Sequence, residues 1–202
     1  MTDVDAVVTA LRAGLPVVLP FDTVYGLAAD ASNEESTRRL YELKGRAEAQ
    51  PTALVVRDLD HLLELIPELR ASLSSFACLL PGPVTLVVGN PARRFPWLAG
   101  ANPEAIGIRV PQLDGATAAV LELLGAFAAT SANHPGGPDP TRLDEVPREI
   151  RDAAGAEIDG GELPGSPSTV LDLTGPEPRV LREGALPAAE ALRRLDAAVR
   201  SG

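Results

Sequence analysis

The sequence predicts a single α/β domain, residues 1–202, built on one mixed sheet. Three observations carry that expectation. Apolar runs of strand length alternate with amphipathic helical stretches along all 202 residues. No linker, repeat or low-complexity tract divides the chain, and its length suits one domain of ~100–200 residues. A tight Gly175-Pro176-Glu177-Pro178 turn joins the last two apolar runs, which adds an antiparallel hairpin to a sheet otherwise fed by helical crossovers.

In chain order, Val4, Val7, Val8 and Leu11 share one helical face, and Gly14 stops that helix. Val17 to Leu19 reads as a short buried strand ending at Pro20, followed by a strand-exit turn through Asp22 to Leu27. Ser32 with Glu35 forms a capping-box pattern for a helix carrying Leu40 and Leu43, and Gly45 sits where a terminating glycine belongs. Ala53 to Val56 reads as a strand. Asp58 caps a helix with Leu59, Leu62, Leu63 and Ile66, and a second helical stretch with Leu69, Leu73 and Phe76 follows Pro67. Further strands are expected at 84–88, 106–110, 125–129, 168–173 and 179–181, with helices at 114–124, 141–154 and 187–199.

The composition narrows function. At 45% hydrophobic and 23% charged residues the chain folds. Its net charge of −10 opposes a broad nucleic-acid-binding face but permits a local basic pocket. The single Cys78 cannot form an internal disulfide or a multi-cysteine zinc cage. No apolar run approaches the ~20 residues of a membrane span, and the Met-Thr-Asp-Val-Asp start has no basic segment, so a cytoplasmic setting is expected. Of the eighteen basic residues, Lys44 is the one lysine.

Polar side chains collect where a plain fold has no need of them. Thr23 offers a hydroxyl and Tyr25 an aromatic wall beside the first strand's exit; the plainer reading packs Tyr25 in the core. In Lys44-Gly45-Arg46, an extended exit from the helix would put both cations on one side, about 6–7 Å apart, as a phosphate clamp. Lys44 also suits the negative end of a helix dipole. Ser131 and Asn133 likewise stand two apart at a strand end, as phosphate or base ligands or as an Asx turn. Ser168, Arg182 and Arg109 complete the set, the arginines alternatively being edge-strand charges or members of ion pairs. There is no Walker A loop, no GxGxxG and no His pair at metal-ligand spacing.

Taken in order, LPFDTVYGLAADA, LYELKGR, LLPGPVTLVV, IGIRVP, TSANHPGG, PSTVLDL and VLREGA resemble the YrdC-type threonylcarbamoyl-AMP synthases, from Leu15 to about Ala185. The resemblance implies a twisted mixed sheet flanked by helices around a deep, positively lined cavity. It implies that L-threonine, bicarbonate and ATP become threonylcarbamoyl-AMP and pyrophosphate, an adenylyl transfer that supplies tRNA threonylcarbamoyladenosine. The family's KxR and SxN signature falls on Lys44, Arg46, Ser131 and Asn133, which with Thr85 and Arg182 would bind ATP, while Thr23 and Ser168 would bind threonine. Mg²⁺ would come with ATP, held by phosphates and water instead of a protein cage. A downstream threonylcarbamoyltransferase complex would accept the product; direct tRNA contact is left open, and no membrane partner is implied. The rival readings are a relative of the same fold with another amino or carbamoyl substrate, and a non-enzymatic nucleotide- or RNA-binding module.

Overall fold

A computed structural model describes residues 2–201. Helix α1 (Asp3–Arg12) starts at a capping box in which Thr2 and Asp5 satisfy each other's backbone N–H groups, and it buries Val7, Val8 and Leu11. Strand β1 (Val17–Pro20) follows. The expected exit turn is only Phe21 to Val24, because Tyr25 opens a full strand, β2 (Tyr25–Asp30), paired antiparallel to β1. This strand lacks the usual alternation because both its faces are covered, from Tyr25 through Ala29.

Helix α2 (Glu34–Lys44) is capped by Asn33 and not by Ser32. The Ser32 hydroxyl is already donated to Asp30 at 2.7 Å, whereas Asn33 Oδ1 accepts from Glu35 N and Ser36 N. β3 (Ala53–Val56) and α3 (Leu59–Leu65, capped by Asp58) match the expectation. The helix expected after Pro67 breaks into two 3₁₀ turns around a single α-turn, α4 (Leu73–Phe76). Ser72, whose hydroxyl bonds back to Leu69 O, offers the chain an alternative to continuing the helix.

β4 (Val84–Gly89), β5 (Ala105–Arg109), α5 (Gly115–Leu124) and β6 (Ala126–Ser131) come next. The helix expected over 141–154 is reduced to α6 (Arg148–Ala153), behind a 3₁₀ turn at Leu143–Glu145. Pro147 cannot continue a helix, and the Glu145 carboxylate instead accepts from Thr141 N and Arg142 N. β7 (Thr169–Asp172), β8 (Arg179–Arg182) and α7 (Ala188–Ser201) close the chain, with β7 and β8 forming the expected hairpin.

The eight strands make one mixed sheet in the order β1-β2-β6-β3-β5-β4-β7-β8, parallel at β3/β5 and β4/β7 and antiparallel elsewhere. Period-two alternation gives its two faces different roles. Leu54, Val56, Leu86, Ile108 and Ala128 point to one face and form the largest core cluster with α3, α4 and α7. Val18, Tyr25 and Leu27 continue that face beneath α2 and α6. On the other face α1 and α5 cover the β1, β2 and β6 end. Over β3, β5, β4 and β7 this second face carries Ala53, Gly107 and Thr85 with the valines Val55, Val87 and Val170, and there a cavity opens. Among the described residues no helix is long and apolar enough to cross a membrane.

Candidate active site

The cavity has a volume of about 410 Å³ and is walled by the ends of β2, β6 and β8 and by the segment leading into β7. Arg46, Arg109 and Arg182 line it, with the hydroxyls of Thr23, Thr85, Ser131 and Ser168. No carboxylate belongs to its described lining. Arg182 lowers the proton affinity of both Arg46 and Arg109, a secondary effect beside their burial, so its charge reaches both across the space. An anion entering it relieves that repulsion.

Lys44 and Arg46 do not stand side by side as an extended exit would place them. Lys44 is the last residue of α2, and Gly45, left-handed at φ +67, swings the chain so that Arg46 enters the cavity while Lys44 stays behind it. The Lys44 side chain is 4% exposed. Its Nζ donates to Ser131 O (2.5 Å), Asn133 O (2.9 Å) and Asn133 Oδ1 (2.8 Å). An ammonium has three N–H bonds, so these three oxygens take all of them.

Asn133 is consumed in the same way. Its Oδ1 also accepts from the Ser131 hydroxyl at 2.7 Å, and its Nδ2 donates to Gly137 O. Of the four signature residues, Arg46 and Ser131 therefore face the cavity, and Lys44 and Asn133 hold the Ser131 turn from the rear. Arg46 is itself braced, Nη1 on Thr130 Oγ1 and Nη2 on Pro51 O, while its Nε is buried without a protein partner.

Burial, then the nearby Arg46 charge, pushes the Lys44 ammonium down to about 8, with Asp139 pulling the other way. Below that pH three N–H bonds meet three oxygens; above it a lone pair faces an acceptor. The folded value lies below the 10.5 of a free lysine, so the unfolded chain holds this proton more tightly and stability from this group rises between about pH 8 and 10.5. Activity that depends on the Ser131 turn is therefore expected to fall above about pH 8 while the melting temperature does not. Parallel rate and melting profiles across that range check this.

Arg109 has the partner its apolar strand demands. Its Nη2 donates to Asp22 Oδ1 and to Thr23 Oγ1 (3.0 Å), and its guanidinium lies 5.7 Å from the centre of the Phe21 ring. Asp22 also accepts from Gln112 N at 3.2 Å. Both side chains of this pair are 11% exposed. Burial lowers Arg109 and raises Asp22, each opposed by the partner's charge. Arg109 Nε is buried with no protein partner, a second donor left for a ligand. Sequence reasoning flagged Arg109 but missed Asp22; the signal was the charge itself, inside Ile106-Gly107-Ile108-Arg109.

On the opposite wall, Ser168 and Thr85 pair hydroxyl to hydroxyl at 2.9 Å, and Arg182 grips Ser168. Gly184 passes so close behind that a Cβ there would overlap Pro167 O and the Ser168 backbone, which explains a glycine two residues after Arg182. Thr23, Thr85, Ser168 and Arg182 thus join Arg46 and Ser131 in one cavity.

The Sua5/YciO/YrdC family model, described as "Telomere recombination", matches residues 9–184. Threonylcarbamoyl-AMP synthases from Pyrococcus abyssi and Bacillus subtilis are 34% and 32% identical, over 89% and 87% of this chain. The chain spans about half the length of these two relatives, 53% and 51%. Among solved structures, P. abyssi Sua5 complexed with L-threonine superposes with a TM-score of 0.81 at 32% identity, covering 96% of this chain and 58% of that one. E. coli YciO superposes with a TM-score of 0.78 at 25% identity, covering 94% and 92%.

Proposed function

The chain belongs to the Sua5/YciO/YrdC family, and on that premise we propose that it is a threonylcarbamoyl-AMP synthase, joining L-threonine, bicarbonate and ATP. The observation that carries this reading is the cavity itself: three arginines and six serine or threonine residues with no carboxylate on the described lining. Such a wall suits a triphosphate together with a carboxylate-bearing amino acid.

The threonine amine nitrogen adds to the carbon of bicarbonate with loss of water, giving a carbamate. A carbamate oxygen then attacks the α-phosphorus, forming a P–O bond as the bond to pyrophosphate breaks. Negative charge grows on the phosphate oxygens and on the leaving group, so cations fixed before reaction supply the stabilisation. Arg46 and Arg182 take the triphosphate, Ser131 positions the α-phosphate by turning its O–H from Asn133 Oδ1 to a phosphate oxygen, and Arg109 adds a third cation whose Nε awaits an oxygen. Thr23 and Ser168 hold threonine. Thr85 meets the nucleotide from beside Ser168. Lys44 and Asn133 serve by fixing Ser131. The walls of sheet and loops limit the contact of the carbamate with water, which would reverse it.

The donors here are guanidinium and hydroxyl groups, and among the described residues no cluster of three His, Cys, Asp or Glu side chains could hold a metal. That set fits Mg²⁺ carried on the phosphates' own oxygens, where it would supply charge neutralisation. A cytoplasmic threonylcarbamoyltransferase complex acting on tRNA would consume the product.

Pyrophosphate release from ATP by the purified protein tests the reading, with threonine, bicarbonate and Mg²⁺ each left out in turn. Release is expected to require all three. Release without threonine dependence would overturn the synthase reading, and dependence on a different amino acid would assign the chain another carbamoyl substrate on the same fold.

A further inference from the structure

Ser168 lies on the cavity wall beside Thr85. Arg182, at the end of β8, forks onto it: Nε and Nη2 donate to Ser168 O at 3.1 and 2.8 Å, and Nη2 also donates to Ser168 Oγ at 3.1 Å. Ser168 is 4% exposed and its hydroxyl touches Thr85 Oγ1. The fork sits opposite Val170, beside a register shift between Val170 and Leu171, on an edge strand whose four residues are all exposed. Three hydrogen bonds to one residue are thus the Arg182 side chain's anchorage, and Nη1 makes no hydrogen bond among the described residues.

Proton counting gives the fork a consequence. While Ser168 Oγ accepts from Arg182, its own O–H is available to donate, and a hydroxyl accepting from a cation donates more strongly. Toward an amino-acid carboxylate this is the useful polarity. Without the fork the same hydroxyl is free to rotate and to spend its proton on Thr85 Oγ1. A phosphate oxygen on Nη1 would fix the guanidinium from its other side.

We propose that Arg182 couples the two substrate subsites: a nucleotide phosphate on its free Nη1 locks the fork on Ser168, sets that hydroxyl as a donor, and so tightens binding of the amino acid. The proposal rests on the reading of the cavity as a nucleotide and threonine site. By linkage, threonine tightens nucleotide binding by the same factor. Arg182 is in this respect a positioning residue for Ser168 as well as a phosphate ligand.

Calorimetric titration of L-threonine into the protein tests this, in bicarbonate-free buffer, with and without α,β-methylene-ATP, whose α–β bridge cannot be cleaved. The expected result is threonine binding about fivefold or more tighter with the analogue, and the analogue tighter with threonine by the same factor. Arg182→Lys keeps the charge but cannot fork onto Ser168, so its coupling factor is expected within twofold of one; Arg182→Gln, which keeps a donor without the charge, should lose it too. If Arg182 merely props up the Ser168 turn, Arg182→Lys weakens threonine equally in both titrations and leaves the factor unchanged, which overturns the proposal. Threonine that binds the wild type with no gain, or more weakly, beside the analogue also overturns it. Absence of threonine binding in either titration removes the synthase reading and the coupling together, an outcome distinct from threonine binding without coupling.

Discussion

Lys44→Arg is expected to lower threonine-dependent pyrophosphate release by about two orders of magnitude, the scale of loss when a reacting group is displaced by ~1 Å, while the protein still melts cooperatively. The ammonium sits among three oxygens at 2.5 to 2.9 Å, and its side chain is 4% exposed. A planar guanidinium is wider and projects its donors in one plane. It must push the Ser131 and Asn133 backbone outward or leave an oxygen unpaired. Overpacking of that kind costs about 1–3 kcal/mol, or about 2–12 °C in Tm at ~2–4 °C per kcal/mol for a domain of this size. Steady-state rates with melting curves on the same preparation measure both effects. A near wild-type rate would reduce Lys44 to a cation favourably placed at the C-terminus of α2.

Arg109→Met is expected to cost more in stability. The Asp22 carboxylate, 11% exposed, would keep only backbone N–H donors, Gln112 N and its own. Stranding one partner of a buried pair costs about 3–5 kcal/mol, which corresponds to a Tm lower by roughly 6–20 °C. Adding Asp22→Asn should recover much of that loss, since a neutral amide is far cheaper to bury, without restoring activity. Burial already raises Asp22 above the usual carboxylate range in the intact pair, and removal of Arg109 raises it further. A carboxyl raised in the folded state binds its proton more tightly there, so acid favours folding of the single variant through this group. Its Tm deficit against wild type should therefore shrink as pH falls. A double variant no more stable than the single one would show that the stranded charge was not the cause.

Local signals made much of the molecule readable. Helix α1 announces itself through four apolar residues on one face and a glycine stop, and the β7/β8 hairpin through its Gly-Pro turn. Strand β2 was missed because a strand covered on both faces, rich in glycine and alanine, carries neither alternation nor β-branched residues. The overlong helix at 141–154 failed because Pro147 and the Glu145 cap act inside an apparently helical pattern. In the site, the family resemblance assigned Arg46, Ser131, Thr23 and Ser168 to one cavity before any geometry was known. The direction each side chain takes was not marked: one left-handed residue, Gly45, separates Lys44 from Arg46.

What the sequence by itself determined is therefore the α/β class, most element positions and a short list of polar groups, because helix periods, caps and turn residues are local and each is written within a few positions. The tertiary structure decided which of those groups meet and what each is free to do. Arg109 finds Asp22 across 87 positions and Lys44 finds Ser131 across another 87, contacts that no local pattern encodes. Sheet order brings the faces of β3, β5, β4 and β7 together around one open space, and that gap, a property of packing alone, is the cavity. The same packing turns the chain's one lysine from an apparent phosphate clamp into the buried staple of the turn that presents Ser131.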